Sequence, residues 1–149
     1  MPEPYKIMLT AWVLVGIWVA IVIYANRKSH PRALFFLFMV ELWERFSYYG
    51  MRALLVLYLT SETLKGGFAL AEKSAYGIYA AYGALVYLTP LAGGYIADKI
   101  LGFRRSIIWG AILMAAGQFT LSTSTGNTTL LYAGLALLVI GNGFFKPNI

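Results

Sequence analysis

The sequence contains no cysteine, so disulfide frameworks, thiolate metal sites and thiol catalysis are excluded together. Histidine occurs once, at His30, and six acidic residues stand against twelve basic ones. A metal centre of histidines and carboxylates, or a nucleophile activated by histidine, lacks its parts, and no enzyme is expected. Charge of either sign is scarce: it makes up 12% of the 149 residues, where a soluble domain carries about 25%. With 60% of residues hydrophobic, the chain holds more apolar surface than a small water-soluble core can bury, and a bilayer is its natural solvent. The net charge of +6 raises nucleic acid as a ligand. The Lys and Arg residues are, however, scattered between and within hydrophobic runs, so no nucleic-acid partner is expected.

What is present is a series of long apolar runs. A membrane-spanning helix needs roughly 20 mostly apolar residues, because about 1.5 Å of rise per residue must cross about 30 Å of hydrocarbon. Stretches 7–26 and 74–97 are charge-free and long enough. Stretch 106–145 is also charge-free, but the polar run 122–129, STSTGNTT, breaks it into two helices joined by a tight hairpin. Stretch 33–60 is strongly apolar yet carries Glu41, Glu44, Arg45 and Arg52; it is expected to span as well, giving about five transmembrane helices in an all-α integral membrane fold. The links 27–32 and 98–105 are basic, whereas 61–73 is balanced and 126–129 uncharged. The bias of Lys and Arg toward the cytoplasm puts the two basic links inside. It also argues that 7–26 is an uncleaved helix and not a signal peptide, since cleavage would leave Arg27 to Arg32 outside.

Charges at membrane depth cost several kcal/mol unless they face a cavity or a partner, so they are functional candidates by default. At ~100° per residue, Glu41, Glu44, Arg45, Tyr48 and Arg52 fall on one stripe, and Leu42, Trp43, Phe46, Gly50, Ala53, Leu54 and Leu57 on the opposite arc. Two carboxylates one turn apart in a restricted dielectric do not both ionise cheaply, so one of the pair can carry a proton. Lys146 adds a second charge deep in the last run, one turn after Asn142. Gly83, Gly110, Gly117, Gly134, Gly141 and Gly143 suit close helix packing.

These residues carry a resemblance. Run 41–50, ELWERFSYYG, resembles the ExxERFxYYG signature of the proton-dependent oligopeptide transporters, a branch of the major facilitator superfamily. Run 141–149, GNGFFKPNI, resembles that family's fourth-helix motif, and 93–105, GGYIADKILGFRR, the loop motif shared across the superfamily. The resemblance covers 30–149 and implies the first four helices of an N-terminal six-helix bundle, with 1–29 an added helix and its basic cytoplasmic link. On this likeness the chain is an incomplete N-terminal portion, and the C-terminal half of the transporter, with its acidic residue for a peptide's amino end, is a missing partner.

The resemblance further implies proton-coupled symport of di- and tripeptides across the cytoplasmic membrane by a multi-pass protein, with no cofactor and protons as the coupling ion. Glu41, Glu44, Arg45 and Lys146 match the proton-coupling residues. Arg52 and Lys146 would attract the peptide's terminal carboxylate, with Tyr48, Tyr49, Tyr82 and Asn142 beside it. Gly94, Asp98, Lys99, Gly102, Arg104 and Arg105 match a cytoplasmic latch, in which Asp98 can pair with Arg104 or Arg105 or cap a facing helix. Other readings stay open: a carrier of another anionic solute such as nitrate, or a non-transporting membrane scaffold.

Overall fold

Each helix stops where the sequence stops favouring it. In the computed structural model, which describes residues 3–149, five α-helices follow one another: α1 Glu3–Asn26, α2 Arg32–Thr60, α3 Glu72–Ile96, α4 Phe103–Ser122 and α5 Thr128–Phe145. The described residues contain no strand. The expected runs and the hairpin in 122–129 are matched closely, and the structure adds a cap: Asn127 Oδ1 accepts the N–H groups of Thr129 and Leu130 at 3.0 and 3.3 Å at the start of α5.

Among the described residues, three helical segments are long and apolar enough by composition to cross a bilayer: Glu3–Asn26, Glu72–Leu101 and Thr128–Asn148. The charges on α2 keep it below that mark, as expected. So does the composition of α4, which was expected to qualify unaided; Arg104, Arg105, Gln118 and its short glycine and serine positions dilute its apolarity.

The chain divides into two compact units within α2, residues 1–44 and 45–149. The first holds α1, none of whose residues is buried. Its charges interact locally: Lys6 pairs with Glu3 at 2.9 Å, and the Arg27 guanidinium lies 4.0 Å from the Tyr24 ring centre.

The second unit is built around α5, which packs on both α3 and α4. Its core joins Leu55 and Leu59 of α2, Tyr82 and Val86 of α3, and Leu131, Leu135, Leu138 and Val139 of α5. Glycine sets the helix spacing. A Cβ on Gly110 would stand 2.8 Å from the Gly141 carbonyl oxygen, and one on Gly134 would stand 3.2 Å from that of Gly117, so α4 and α5 touch backbone to backbone at two points one heptad apart. On α3, a Cβ at Gly93 would overlap the Gly143 carbonyl. Thr89 strengthens this contact, its hydroxyl lying 3.1 Å from the Val139 carbonyl of α5 and 2.9 Å from that of Leu85, just before Pro90, which cannot donate to the helix.

Two connections differ from simple loops. Segment 61–71 folds back over the end of α2, the N–H groups of Ala69 and Leu70 bonding the carbonyls of Ser61 and Leu59 at 2.8 and 2.9 Å. Tyr58 locks it from below, with Phe68 edge-on at 5.4 Å between ring centres and Ser124 of the α4–α5 hairpin within 3.0 Å of its hydroxyl. At the other end, α3 widens into a π-type turn over Ala97–Leu101 before Gly102, at φ +76°, reverses the chain into α4.

Candidate functional site

Burial along α2 follows the helical repeat. Tyr48, Leu55 and Leu59 are buried and Met51 and Arg52 half-buried, while Phe46, Leu54 and Leu57 are exposed, as the two-faced pattern predicts for that part of the helix. The buried face brings Arg52 against α3. Its Nε donates to the Tyr79 hydroxyl at 2.6 Å, its Nη1 to the Tyr48 hydroxyl at 3.4 Å, and its Cζ lies 4.7 Å from the Tyr79 ring centre. Gly83, one turn beyond Tyr79, leaves room for the guanidinium: a Cβ there would stand 3.8 Å from Nη2. An arginine set between two phenols keeps its charge in a half-buried place through hydrogen bonds and ring contacts.

Lys146 approaches the same tyrosine from α5. Its Nζ lies 5.2 Å from the centre of the buried Tyr48 ring, so the side chain runs inward. Tyr82 completes the wall, 6.4 Å from Tyr48 between ring centres, and Asn142 is buried one turn before Lys146. Two cations and three phenols thus converge from three helices. The α5 end is held in place by the Asn148 side-chain amide, which donates to the Phe144 carbonyl at 2.7 Å, and by Gly93 and Gly94 of α3 beside Gly143 and Pro147.

The remaining expected residues are placed as follows. Glu41 is half-buried, Glu44 buried and Arg45 exposed, along an α2 that runs unbroken through them. Tyr49 touches Tyr48 edge-on at 5.2 Å but is itself half exposed and turns away from Arg52. Asp98, Lys99, Arg104 and Arg105 are all exposed, and among the described residues no ion pair joins Asp98 to either arginine. The π-type turn carries Asp98 on helical backbone, and the α4 cap is Gly102 with no side-chain hydrogen bond, so the expected pairing and capping are not formed here. The tight glycine of this region is Gly93; Gly94 meets Pro147 at an ordinary 3.5 Å. Tyr79 was missed by sequence reasoning. Its position three residues before Tyr82, hence on the same helix face, was the signal available.

Comparison with known proteins bears on this arrangement. The sequence profile described as the POT family matches residues 104–149. A di-/tripeptide transporter of Lactococcus lactis subsp. lactis (strain IL1403) is 48% identical over 123 residues, 81% of this chain and 24% of that protein. The chain belongs to the POT family. The uncharacterized transporter YclF of Bacillus subtilis (strain 168) is 42% identical over 121 residues, with the same coverage. Among solved structures, a peptide transporter POT in complex with sulfate superposes with a TM-score of 0.76 at 47% identity, covering 80% of this chain and 24% of that one. A POT family transporter in complex with a thioalcohol-conjugated peptide reaches 0.78 at 40% identity, covering 83% and 25%. The all-helical fold is therefore that of POT membrane transporters, and the chain spans about a quarter of the length of the curated relatives it matches.

Proposed function

We propose that this chain contributes to proton-coupled symport of di- and tripeptides across the cytoplasmic membrane, as the front portion of a complete transporter. The observation that carries the reading is the convergence of Arg52 and Lys146 on Tyr48. A zwitterionic peptide brings a carboxylate that needs cations and amides that need donors and acceptors, and this wall supplies both beside apolar surface. The relatives are consistent with it, two being named di-/tripeptide transporters and one POT structure holding a conjugated peptide. The sulfate in another POT structure fits the same preference for anionic groups.

In this reading Glu41, Glu44 and Arg45 handle the proton and Lys146 is the charge that exchanges with a glutamate during the cycle. Gly94, Asp98, Lys99, Gly102, Arg104 and Arg105 form a cytoplasmic latch that closes in another conformation, since Asp98 stands apart from both arginines here. The lipid bilayer, small peptides and the remaining helices of the transporter are its partners. Reconstitution of the complete transporter in liposomes tests the proposal: a labelled dipeptide accumulates when an inward proton gradient is imposed and only equilibrates without one. Gradient-driven uptake of nitrate that dipeptides do not compete with would replace the peptide by another anion.

A further inference from the structure

Arg52 does not stand loosely in the wall; one edge of it is taken. A guanidinium offers a carboxylate two edges that each give parallel hydrogen bonds, one formed by Nε with its neighbouring Nη and one by the two Nη groups. Here Nε is held by the Tyr79 hydroxyl at 2.6 Å, the shorter of the two bonds Arg52 makes, and the Tyr79 ring lies under Cζ at 4.7 Å. The Tyr48 hydroxyl is a looser acceptor for Nη1 at 3.4 Å. Among the described residues nothing accepts a hydrogen bond from Nη2, which lies over the bare backbone of Gly83.

We infer that Tyr79 is the positioning residue for Arg52: by occupying Nε it removes one carboxylate-binding edge and turns the Nη1–Nη2 edge toward the ligand. Tyr79 itself touches no ligand in this account. The inference rests on the peptide reading above and deepens it, because it says how the carboxylate end is oriented. A ligand that displaces the long Tyr48 contact gains a two-point bond with Arg52, while the Tyr79 bond holds the guanidinium plane against rotation. Holding the plane lowers the ordering cost that binding would otherwise carry.

The test is uptake kinetics of the complete transporter in liposomes with Tyr79→Phe, which keeps the ring and removes the hydroxyl. The half-exposed Tyr76, one turn earlier, gives the control Tyr76→Phe. The expected result is a KM for dipeptide raised about tenfold with the maximal rate kept, and no change in the control. Competition by a dipeptide and by its C-terminal amide adds a readout that a packing role would not move: the preference for the free carboxylate narrows by the same factor. A lowered maximal rate with unchanged KM, or a raised KM with the carboxylate preference intact, would overturn the inference. Should Tyr79→Phe not yield folded protein, Tyr79→Leu decides: it too removes the hydroxyl that holds Nε, so the same rise in KM and the same narrowed carboxylate preference are expected, and an unchanged KM and preference would overturn the inference. If the unaltered transporter accumulates no dipeptide, the peptide reading itself fails; if it does and Tyr79→Phe is indistinguishable from it, only the positioning role fails.

Discussion

The glycine contact between α4 and α5 gives a prediction whose size follows from distances. A methyl at Gly110 would sit 2.7 Å from the Phe145 amide nitrogen and 2.8 Å from the Gly141 carbonyl oxygen. Both are helix backbone and cannot swing aside, so the two helices must part by about 0.6 Å to restore van der Waals distance. A gap of that size forfeits a quarter to a half of the dispersion energy between facing atoms, and overpacking of this kind costs about 1–3 kcal/mol. The better helix propensity of alanine offsets at most about 1 kcal/mol. Gly110→Ala is therefore expected to destabilise by roughly 1–2 kcal/mol. Gly16→Ala on α1, where a Cβ meets nothing within 4 Å, carries the propensity gain alone. Heating the detergent-solubilised protein and following the monodisperse peak by size exclusion reads the difference as a transition several degrees lower for Gly110→Ala. If Gly110→Ala survives as well as Gly16→Ala, the close approach of α4 and α5 is not what holds this unit together.

Two further predictions concern the proton and the topology. Glu44→Gln in the complete transporter is expected to abolish accumulation driven by a proton gradient, and accumulation undiminished from that of the unaltered protein would remove Glu44 from proton coupling. Because the sequence has no cysteine, single substitutions report sidedness directly. Leu64→Cys, in the fully exposed link after α2, is expected to react with a membrane-impermeant maleimide added outside whole cells, and Arg105→Cys only after the membrane is opened. The reverse pattern would invert the orientation drawn from the basic links.

Much of this architecture was legible because membrane helices announce themselves locally. Run length and the polar stretch 122–129 depend on neighbours in sequence, and the observed helix ends follow them within a few residues. The inward face of α2 at Tyr48 and Arg52 was legible for the same reason, since 3.6-residue periodicity alone separates these two from Phe46, Leu54 and Leu57. What could not be read depends on contacts between helices. Tyr79 became visible as a partner only when α2 and α3 were laid side by side, because a half-buried tyrosine one turn from Tyr82 looks like any other aromatic in an apolar helix. The π-type turn at Ala97–Leu101 has no strong sequence signal; Asp98 lies exposed within it, and among the described residues no ion pair joins it to Arg104 or Arg105. Tyr49 illustrates the limit of a motif: adjacent to Tyr48 in the signature, it points about 100° away around the helix.

The central claim is the proposal that the complete transporter couples proton movement to peptide movement. Liposomes holding the complete transporter and a trapped pH-sensitive dye test it most directly: with no imposed gradient, adding dipeptide outside should acidify the lumen, and adding the corresponding free amino acids should not. Dipeptide entry with no change in lumenal pH would contradict the account.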